Sequence, residues 1–408
     1  MTQKRNPGIY FIFITLVIDV LGIGLIIPIL PALLQQFADG DISKASRYSG
    51  ILMASYAVMQ FIFSPIMGGL SDKFGRRPVL LFSLFGFGLD YILLGFAPNL
   101  TWLFIGRIIS GITGASFTTA SAYIADISKP EDRSKNFGMI GAAFGLGFIV
   151  GPAIGGLLAS YGTRVPFFAA AALTLANWLY GYFILPESLK PENRRPFEWK
   201  RANPIGTLAS LGKYPLILGL LIAYFCLSVG GQVHPSTWTF YTIKEFGWTP
   251  KEVGYSLAFI GLMVAFVQGY LTRKINPKIG DKRSVTIGLL LFSFGFILFA
   301  FATKAWMMYA FMIPYALGGI AGPSLQSLIS QEVGPSHQGE LQGGLTSLQS
   351  ISTIVGPLIA TNLFSYYTAK TTSVQFPGAA FLMGSILCFI AFLAARKSFN
   401  KNAGTNEE

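Results

Sequence analysis

Charge is scarce in this sequence of 408 residues: Asp, Glu, Lys and Arg together make up only 12%, whereas hydrophobic residues make up 52%. Soluble globular domains contain about 25% charged residues. The shortage excludes a soluble enzyme, a coiled coil and a disordered chain, because all three need a polar or charged surface in water. Acidic residues are the scarcest, with 18 Asp and Glu against 30 Lys and Arg.

Cysteine, metal-site and nucleotide-site patterns are also missing. The two cysteines, Cys226 and Cys388, both lie inside apolar runs, so no disulfide framework is predicted. Cysteine usage therefore does not indicate whether the protein occupies an oxidising or a reducing compartment. The sequence has no Gly-rich phosphate loop, metal-ligand cluster or nucleophile triad. We therefore expect neither an enzyme nor an ATP-driven pump, and we expect no metal and no cofactor.

Twelve apolar stretches have the length of about 20 residues that a helix needs to cross the hydrocarbon core of a bilayer. The strands of a membrane β-barrel would instead alternate apolar and polar residues over about ten positions. The pattern predicts an all-α integral membrane protein with twelve transmembrane helices. The first stretch lacks a small-residue cleavage site, so we expect it to stay in the mature protein. The predicted spans are 9–34, 48–70, 78–97, 101–125, 136–160, 165–185, 215–240, 251–272, 283–302, 305–329, 341–364 and 377–396.

Most of the 30 Lys and Arg residues lie in loops on one side of these spans. Basic residues are retained on the cytoplasmic side of a membrane, so the pattern places both termini in the cytoplasm. Topology thereby accounts for the net charge of +12. A nucleic-acid partner would need basic residues clustered on a solvated face and is not expected. We expect a monomer in the lipid bilayer.

A polar segment over 186–213, rich in Pro and basic residues, divides the chain into two sets of six spans. We interpret it as a cytoplasmic linker between an N-terminal six-helix bundle, 1–185, and a C-terminal six-helix bundle, 214–408. A shift of 205 residues aligns IVGP at 149–152 with IVGP at 354–357. Two pseudo-symmetric halves are typical of secondary transporters that work by alternating access around a site near the bilayer midplane.

The loop GGLSDKFGRRPVL, which begins at Gly68, resembles the signature cytoplasmic loop of the major facilitator superfamily. Small residues there permit a close approach of helices and a tight turn, and the acid can pair with the arginines. The resemblance implies the major facilitator fold and a cluster that closes the cytoplasmic gate. The alternative is a basic loop that only anchors topology. The candidate gate residues are Gly69, Asp72, Gly75, Arg76, Arg77, Asp126 and Arg133.

The fifth span contains GLGFIVGPAIGG, which resembles the antiporter signature of the drug/proton antiporter branch of that superfamily. Small residues at four-residue spacing give a flat face for helix packing, and proline bends the helix. The resemblance implies export of a substrate coupled to proton entry. The candidate residues of this motif are Gly147, Gly151, Pro152, Gly155 and Gly156.

Spans one, three and four extend the likeness: the sequences LVIDVLGIGLIIPILPALL, SLFGFGLDYILLGF and GRIISGITGAS are similar to those of the tetracycline/proton antiporters of Gram-negative bacteria. The resemblance covers nearly the whole chain and is strongest before residue 160. It implies a proton-coupled exporter of amphipathic, tetracycline-like drugs in the bacterial inner membrane.

Three charged residues lie well inside the spans: Asp19, Asp90 and Arg107. A charge at the bilayer centre costs at least about 2.5–3.5 kcal/mol, so each is a functional candidate. A carboxylate whose surroundings alternate between apolar and charged can take up and release a proton, which is the role we expect for Asp19. The resemblance implies a role in proton transfer for Arg107 and a place near the substrate for Asp90. The alternative is a buried pair that sets helix register.

The second half departs from the family pattern. Where the tetracycline exporters have an aspartate in span nine and a histidine in span eight, this chain has Phe292 or Ser293, and Val264. Coupling is therefore expected to depend on the first half, with His234 as a possible substitute. A different interpretation makes His234 a solvent-accessible interfacial residue.

Polar and aromatic groups within apolar spans are candidates for substrate contacts, since ligand pockets are mostly apolar with a few placed polar groups. Each of them could instead cross-link helices. Within transport, an endogenous solute such as a siderophore, organic anion or metabolite is the alternative to a drug. A membrane receptor that no longer transports is a further alternative. The candidate substrate residues are Gln60, Tyr91, Gln232, His234, Trp238, Gln268, Gln326 and Asn362.

Overall fold

The computed structural model describes residues 7–114, 116–128, 133–198, 206, 211, 217–333 and 338–404, and these residues form helices and connecting turns without a strand. The first eight helices are α1 (Pro7–Ile26), α2 (Leu30–Gln36), α3 (Ile42–Phe74), α4 (Arg76–Phe96), α5 (Leu100–Thr113), α6 (Ser116–Ile127), α7 (Arg133–Leu158) and α8 (Val165–Ile184). The others are α9 (Leu218–Gly231), α10 (Val233–Phe246), α11 (Pro250–Phe266), α12 (Thr272–Ile279), α13 (Asp281–Ala300), α14 (Ala305–Leu317), α15 (Ala321–Gln331), α16 (Gln338–Thr368) and α17 (Ala379–Gly404).

Within the described ranges, 11 helices or helix pairs are long and apolar enough to cross a membrane. The remaining predicted span, 341–364, lies in α16, a continuous helix of 31 residues that is rich in Ser and Thr. Its buried hydroxyls donate to carbonyls of their own helix: Ser352 to Leu348 at 2.9 Å and Thr361 to Pro357 at 2.7 Å. Such local bonds satisfy the hydroxyls without water. The chain is an all-α membrane protein, as predicted.

Several predicted spans are interrupted helices. The predicted span one, 9–34, consists of two helices, because α1 ends at Ile26 and α2 begins only at Leu30. Pro28 lies in the break, and proline provides no N–H for a helical hydrogen bond. Span eight contains a π turn at Val267–Leu271, and span ten contains a 3-10 turn at Gly318–Ile320.

The helix boundaries confirm the internal repeat. Helices α4, α5, α6 and α7 begin at positions 76, 100, 116 and 133, and α13, α14, α15 and α16 begin 205 residues later, at positions 281, 305, 321 and 338. Each half therefore repeats the same order of a long helix, an interrupted span and a second long helix.

Backbone packing divides the chain into two compact units, and each has its own core. Unit 1 comprises Met1–Leu33, Ser55–Asn203 and Thr249–Ala258; unit 2 comprises Leu34–Ala54, Pro204–Trp248 and Phe259–Glu408. The core of unit 1 joins α1, α4, α6 and α7, and that of unit 2 joins α9, α13, α15, α16 and α17.

The units differ from the predicted halves in two segments. The start of α3 packs in unit 2, where Ser43 donates to the Ser365 carbonyl at 2.7 Å. The start of α11 packs in unit 1, where Gly254 adjoins Pro152 of α7. The division at 185 and 213 stays a prediction.

Candidate functional site

An ion pair lies within the spans of unit 1. The Arg107 guanidinium of α5 donates a hydrogen bond to the Asp90 carboxylate of α4. Asp90 is fully buried, and the absence of a side chain at Gly106 makes room for it, since a Cβ there would lie 2.5 Å from Asp90 Oδ1. Each charge lowers the cost of burying the other, and removal of one partner leaves an uncompensated charge.

Two tyrosines connect this pair to Asp19. Tyr56 of α3 and Tyr91 of α4 each interact electrostatically with Asp19, Asp90 and Arg107. Asp19 itself is buried, with 4% of its surface exposed. The three intramembrane charges identified from the sequence therefore lie near the same two tyrosines; both carboxylates are buried, and the Arg107 side chain is 24% exposed.

Tyr91, predicted to contact substrate, is buried with its hydroxyl against α1. A Cβ at Gly22 would lie 2.7 Å from that hydroxyl. Gln60, the other candidate in this unit, donates from Nε2 to the Tyr56 hydroxyl at 3.1 Å and to the Gly114 carbonyl at 3.2 Å. In this structure both side chains support the charge cluster.

Arg76, at the first position of α4, is the centre of the candidate gate. Its Nη1 lies 2.5 Å from Asp72 Oδ1 and 2.6 Å from Ser71 Oγ, and its Nε lies 3.1 Å from Asp126 Oδ2. Charge-assisted bonds of this kind are about twice as strong as neutral ones. The arginine thereby connects the ends of α3, α4 and α6.

Two glycines of this loop have different roles: Gly75 allows a positive φ, and Gly69 makes room for a residue of the linker. Gly75 has φ of +108°, which side-chain-bearing residues rarely adopt. Gly69 was expected to let two helices approach, but the atoms that a Cβ there would meet, at 2.9 Å, belong to the ring of Phe197. Arg77 donates to the Tyr182 carbonyl at 2.6 Å. Arg133 begins α7, and its side chain lies outside the described residues.

Glu187, in the segment predicted to be a linker, also belongs to the gate and was not identified from the sequence. Its carboxylate accepts hydrogen bonds from the backbone N–H groups of Arg76 at 2.8 Å and Arg77 at 3.3 Å. A carboxylate at a helix N-terminus satisfies free N–H groups and complements the helix dipole. Ser188 adds a hydrogen bond to Asp126 at 3.0 Å. A capping acid about 110 residues from its helix leaves no local sequence signal.

A cavity of about 570 Å³ opens beside this cluster, between the gate and the linker. The backbone N–H of Arg195 closes one side by donating to the Asp72 carbonyl at 3.1 Å. The cavity lining includes acids and arginines in similar numbers: Asp72, Arg76, Asp126, Leu189, Glu192, Asn193, Arg194 and Arg195.

The glycines of the α7 motif pack against two different partners. A Cβ at Gly147 would lie 2.9 Å from the Leu21 nitrogen, and one at Gly151 would lie 2.8 Å from the Leu21 carbonyl oxygen, both on α1. Gly155 adjoins the backbone of Leu25, also on α1. These three positions form one face with a spacing of four residues.

The second partner is the beginning of α11. A Cβ at Gly156 would lie 2.5 Å from the Pro250 carbonyl oxygen, and Gly254 adjoins the Pro152 carbonyl. Pro152 also contacts α1, since a Cβ at Gly24 would lie 2.8 Å from its Cδ. The motif therefore fixes α7 between α1 and the start of α11, all within unit 1.

His234 of unit 2 is buried, with 5% of its surface exposed. The interpretation that it is a solvent-accessible interfacial residue is therefore wrong. Its ring stacks on Trp238, with centroids 4.5 Å apart, and on Tyr315 at 5.4 Å. The sequence placed His234 near the outer end of a span. In the structure His234 lies on α10, and aromatic side chains of α10 and α14 surround its ring. Trp238 is fully buried in the same group.

The other candidates of unit 2 are more peripheral. Gln232 lies between α9 and α10 and is half-buried. Asn362 is exposed and donates to the Leu358 carbonyl of its own helix at 2.7 Å. Gln326 is exposed and hydrogen-bonds Tyr224, and Gln268 is exposed in the π turn. The structure places these three on helix surfaces and does not gather them around one point.

The position that departs from the family pattern is occupied by a neutral pair. Ser293 of α13 is buried, and its Oγ lies 2.9 Å from Ser385 Oγ of α17. Phe292 packs against Tyr315, with ring centroids 5.2 Å apart. The pairing satisfies the hydroxyls between two helices without a charge.

The sequence matches the family model described as Major Facilitator Superfamily over residues 12–279 and again over residues 277–407. The chain belongs to the Major Facilitator Superfamily. Within the superfamily it is similar to the class C tetracycline resistance protein of Escherichia coli, with 40% identity over 395 residues that cover 97% of this chain and 98% of that protein. The class H protein of Pasteurella multocida is 37% identical over 394 residues, 96% of each chain.

A solved structure supports the same fold. The human organic anion transporter MFSD10 (TETRAN) matches with a TM-score of 0.70 and 24% identity, covering 97% of this chain and all of that one. The major facilitator fold predicted from the sequence is therefore confirmed.

The packing of the α7 motif predicts that Gly151→Ala lowers the melting temperature of this superfamily member, because the added methyl group would meet the α1 backbone and overpacking costs about 1–3 kcal/mol. Gly145→Ala is the matched control, since nothing lies within 4 Å of a Cβ there. It should leave the melting temperature unchanged or raise it, because alanine favours helix. Thermal unfolding of both purified variants in detergent tests this, and equal melting temperatures would contradict the packing.

The linker contact predicts that Glu187→Ala destabilises unit 1, since loss of a helix-capping side chain costs about 0.5–2 kcal/mol. Glu192→Ala is the control, because that acid is exposed and its nearest ion-pair partner, Lys190, is 4.0 Å away. Thermal unfolding in detergent should show a lower midpoint for the Glu187 variant alone. Equal midpoints for the two variants would show that the capping contact contributes nothing.

Proposed function

We propose that the protein is a proton-coupled antiporter that exports amphipathic, tetracycline-like drugs by alternating access. The observation that carries the proposal is the group of Asp19, Asp90 and Arg107, because charged residues within apolar spans are costly and are functional candidates by default. The similarity of almost the entire chain to tetracycline resistance proteins supports the class of substrate. We propose an inner-membrane location, with both termini in the cytoplasm and the protein acting as a monomer.

The charge balance of the cluster explains how it couples to protons. Two carboxylates and one guanidinium have a net charge of −1 when all are ionised, and binding of one proton makes the cluster neutral. A neutral cluster is favoured when the site is closed to water, because an uncompensated charge in an apolar interior is costly. Access of water from one side allows the proton to leave. We assign proton uptake to Asp19, since Arg107 already neutralises Asp90.

We assign the conformational change of alternating access to the gate and the α7 motif. We propose that the Arg76 cluster holds the cytoplasmic ends of α3, α4 and α6 together in one state and separates in the other. The glycine face of α7 keeps α1, which contains Asp19, close to α7. Motion of these helices would then expose Asp19 to each side in turn.

Substrate contacts are proposed for both units. Gln60 and Tyr91 lie beside the three intramembrane charges, Gln232 lies where α9 meets α10, and His234 and Trp238 lie on α10. Gln268, Gln326 and Asn362 stay candidates on exposed surfaces.

The neutral Ser293–Ser385 pair favours a second candidate function, transport of an endogenous solute, because this position has no acid for a second proton site. A panel of tetracyclines, siderophores and organic anions tested for thermal stabilisation would distinguish the two. A ligand that binds the folded state raises its melting temperature by mass action.

The assignment of Asp19 predicts that Asp19→Asn abolishes proton-driven transport. In proteoliposomes with an imposed pH gradient, accumulation of tetracycline should fall to the level of protein-free vesicles. Exchange of labelled for unlabelled tetracycline without a gradient should persist, because the amide keeps the shape of the side chain. Asp39→Asn is the control, since Asp39 is exposed in a turn with φ of +53° that asparagine also adopts. Full gradient-driven accumulation by the Asp19 variant would refute the assignment.

A further inference from the structure

Span four is interrupted between the two sites that it serves. Helix α5 ends at Thr113, and α6 begins only at Ser116. Arg107, which pairs with Asp90, precedes this break, and Asp126 of the gate follows it. A helix is stiff where its ladder of backbone hydrogen bonds is continuous and bends where the ladder is interrupted. The break therefore decides whether α5 and α6 move as one piece.

The side chain of Gln60 connects this break to α3. Its Nε2 donates to the Gly114 carbonyl oxygen at 3.2 Å and to the Tyr56 hydroxyl at 3.1 Å. The last carbonyl groups of a helix have no partner within that helix, and within a bilayer neighbouring side chains must provide one. Gln60 provides such a donor at the point where the ladder of α5 stops.

Two glycines bring α3 and the break within hydrogen-bonding reach. A Cβ at Gly111 would lie 2.7 Å from the Tyr56 carbonyl oxygen, and one at Gly114 would lie 3.4 Å from Gln60 Nε2. A side chain at Gly111 would meet backbone atoms, which cannot move aside as the end of a flexible side chain can. The last turn of α5 thus lies directly on the turn of α3 that contains Gln60.

Unit 2 has a corresponding bond at its own break. Span ten is interrupted by the 3-10 turn Gly318–Ile320, and Asn276 of α12 donates from Nδ2 to the Ile320 carbonyl oxygen at 3.1 Å. The shift of 205 residues that relates the two halves pairs Gln60 with Ala265, not with Asn276. The two halves therefore supply an amide to the break from different positions, so the bond follows the break and is not simply a copy made by the repeat.

We propose that Gln60 is a positioning residue that fixes the angle between α5 and α6 through its hydrogen bond to Gly114, and that Asn276 does the same for α14 and α15. While the bond to Gly114 is made, a displacement of Arg107 is carried through span four to Asp126 at the gate. Without it the span bends at the break, and its two ends move separately. The consequence for transport rests on the proposed function, but the geometry of the break does not.

The distance between spin labels on α5 and α6 tests the proposal without a transport assay. Trp102→Cys and Ile127→Cys place the labels near the two ends of the span, in a protein that also has Cys226→Ser and Cys388→Ser. With Gln60 present, the distances should form one narrow distribution at about 35–40 Å, from the rise of a helix. Gln60→Met keeps the length of the side chain but has no amide, so it should broaden the distribution, because the angle between α5 and α6 is no longer fixed.

Two control variants separate the bond to Gly114 from its surroundings. Tyr56→Phe removes the other partner of Gln60, and Asn276→Leu removes the corresponding amide of unit 2; both should leave the α5–α6 distribution narrow. A narrow distribution in folded Gln60→Met would overturn the proposal, and so would equal broadening by either control. If Gln60→Met fails to fold, Gln60→Asn replaces it, since its amide is too short to reach Gly114, and a narrow distribution then overturns the proposal.

The ratio of tetracycline to protons transported distinguishes positioning from a general loss of stability. In proteoliposomes, Gln60→Met should export fewer tetracycline molecules per proton than wild type, because the two ends of span four no longer move together. Lower activity at an unchanged ratio would overturn the positioning role. A wild-type protein that shows the predicted distance distributions but no exchange of tetracycline for protons would refute the proposed function and leave the assignment of Gln60 intact.

Discussion

The cost of keeping charge inside a bilayer is the constraint on which the rest of the structure depends. Arg107 and Asp90 pair within spans of unit 1, and the small residues around them serve that pair: Gly106 gives space to the carboxylate, and Gly111 brings α3 close enough for Tyr56 to meet the guanidinium. Asp19 is the second carboxylate of a cluster with one cation. A net charge that a single proton can cancel gives a buried site the property that coupling requires.

A second cluster of an arginine and two carboxylates lies at the ends of the spans. Arg76 is again a guanidinium between carboxylates, Asp72 and Asp126, but here the acids are partly exposed, with 46% and 21% of their side chains accessible. Such pairs can separate at modest cost, because water replaces the lost partner. In the proposed mechanism Asp19, the carboxylate near the buried Asp90–Arg107 pair, takes up the proton, and the more accessible contacts of Arg76 open and close.

Composition and motif spacing were sufficient to predict the helical membrane fold, the internal repeat and the residues of the charge cluster, because each depends on local apolar length or on a charge inside a span. The helix interruption at Gly318 was missed, since an apolar run looks continuous whether or not its backbone is. Glu187 and Tyr56 were missed for a different reason: their importance comes from contacts with residues far away in the sequence. His234 was misplaced because its burial depends on aromatic rings of other helices.

The most direct test of coupling is the luminal pH of proteoliposomes loaded with tetracycline and diluted into tetracycline-free buffer. Antiport predicts that tetracycline leaving the vesicles draws protons inward, so the lumen acidifies only when the protein is present. A protonophore should abolish the pH change. Protein-dependent loss of tetracycline without any change in luminal pH would contradict proton coupling and, with it, the role assigned to Asp19, Asp90 and Arg107.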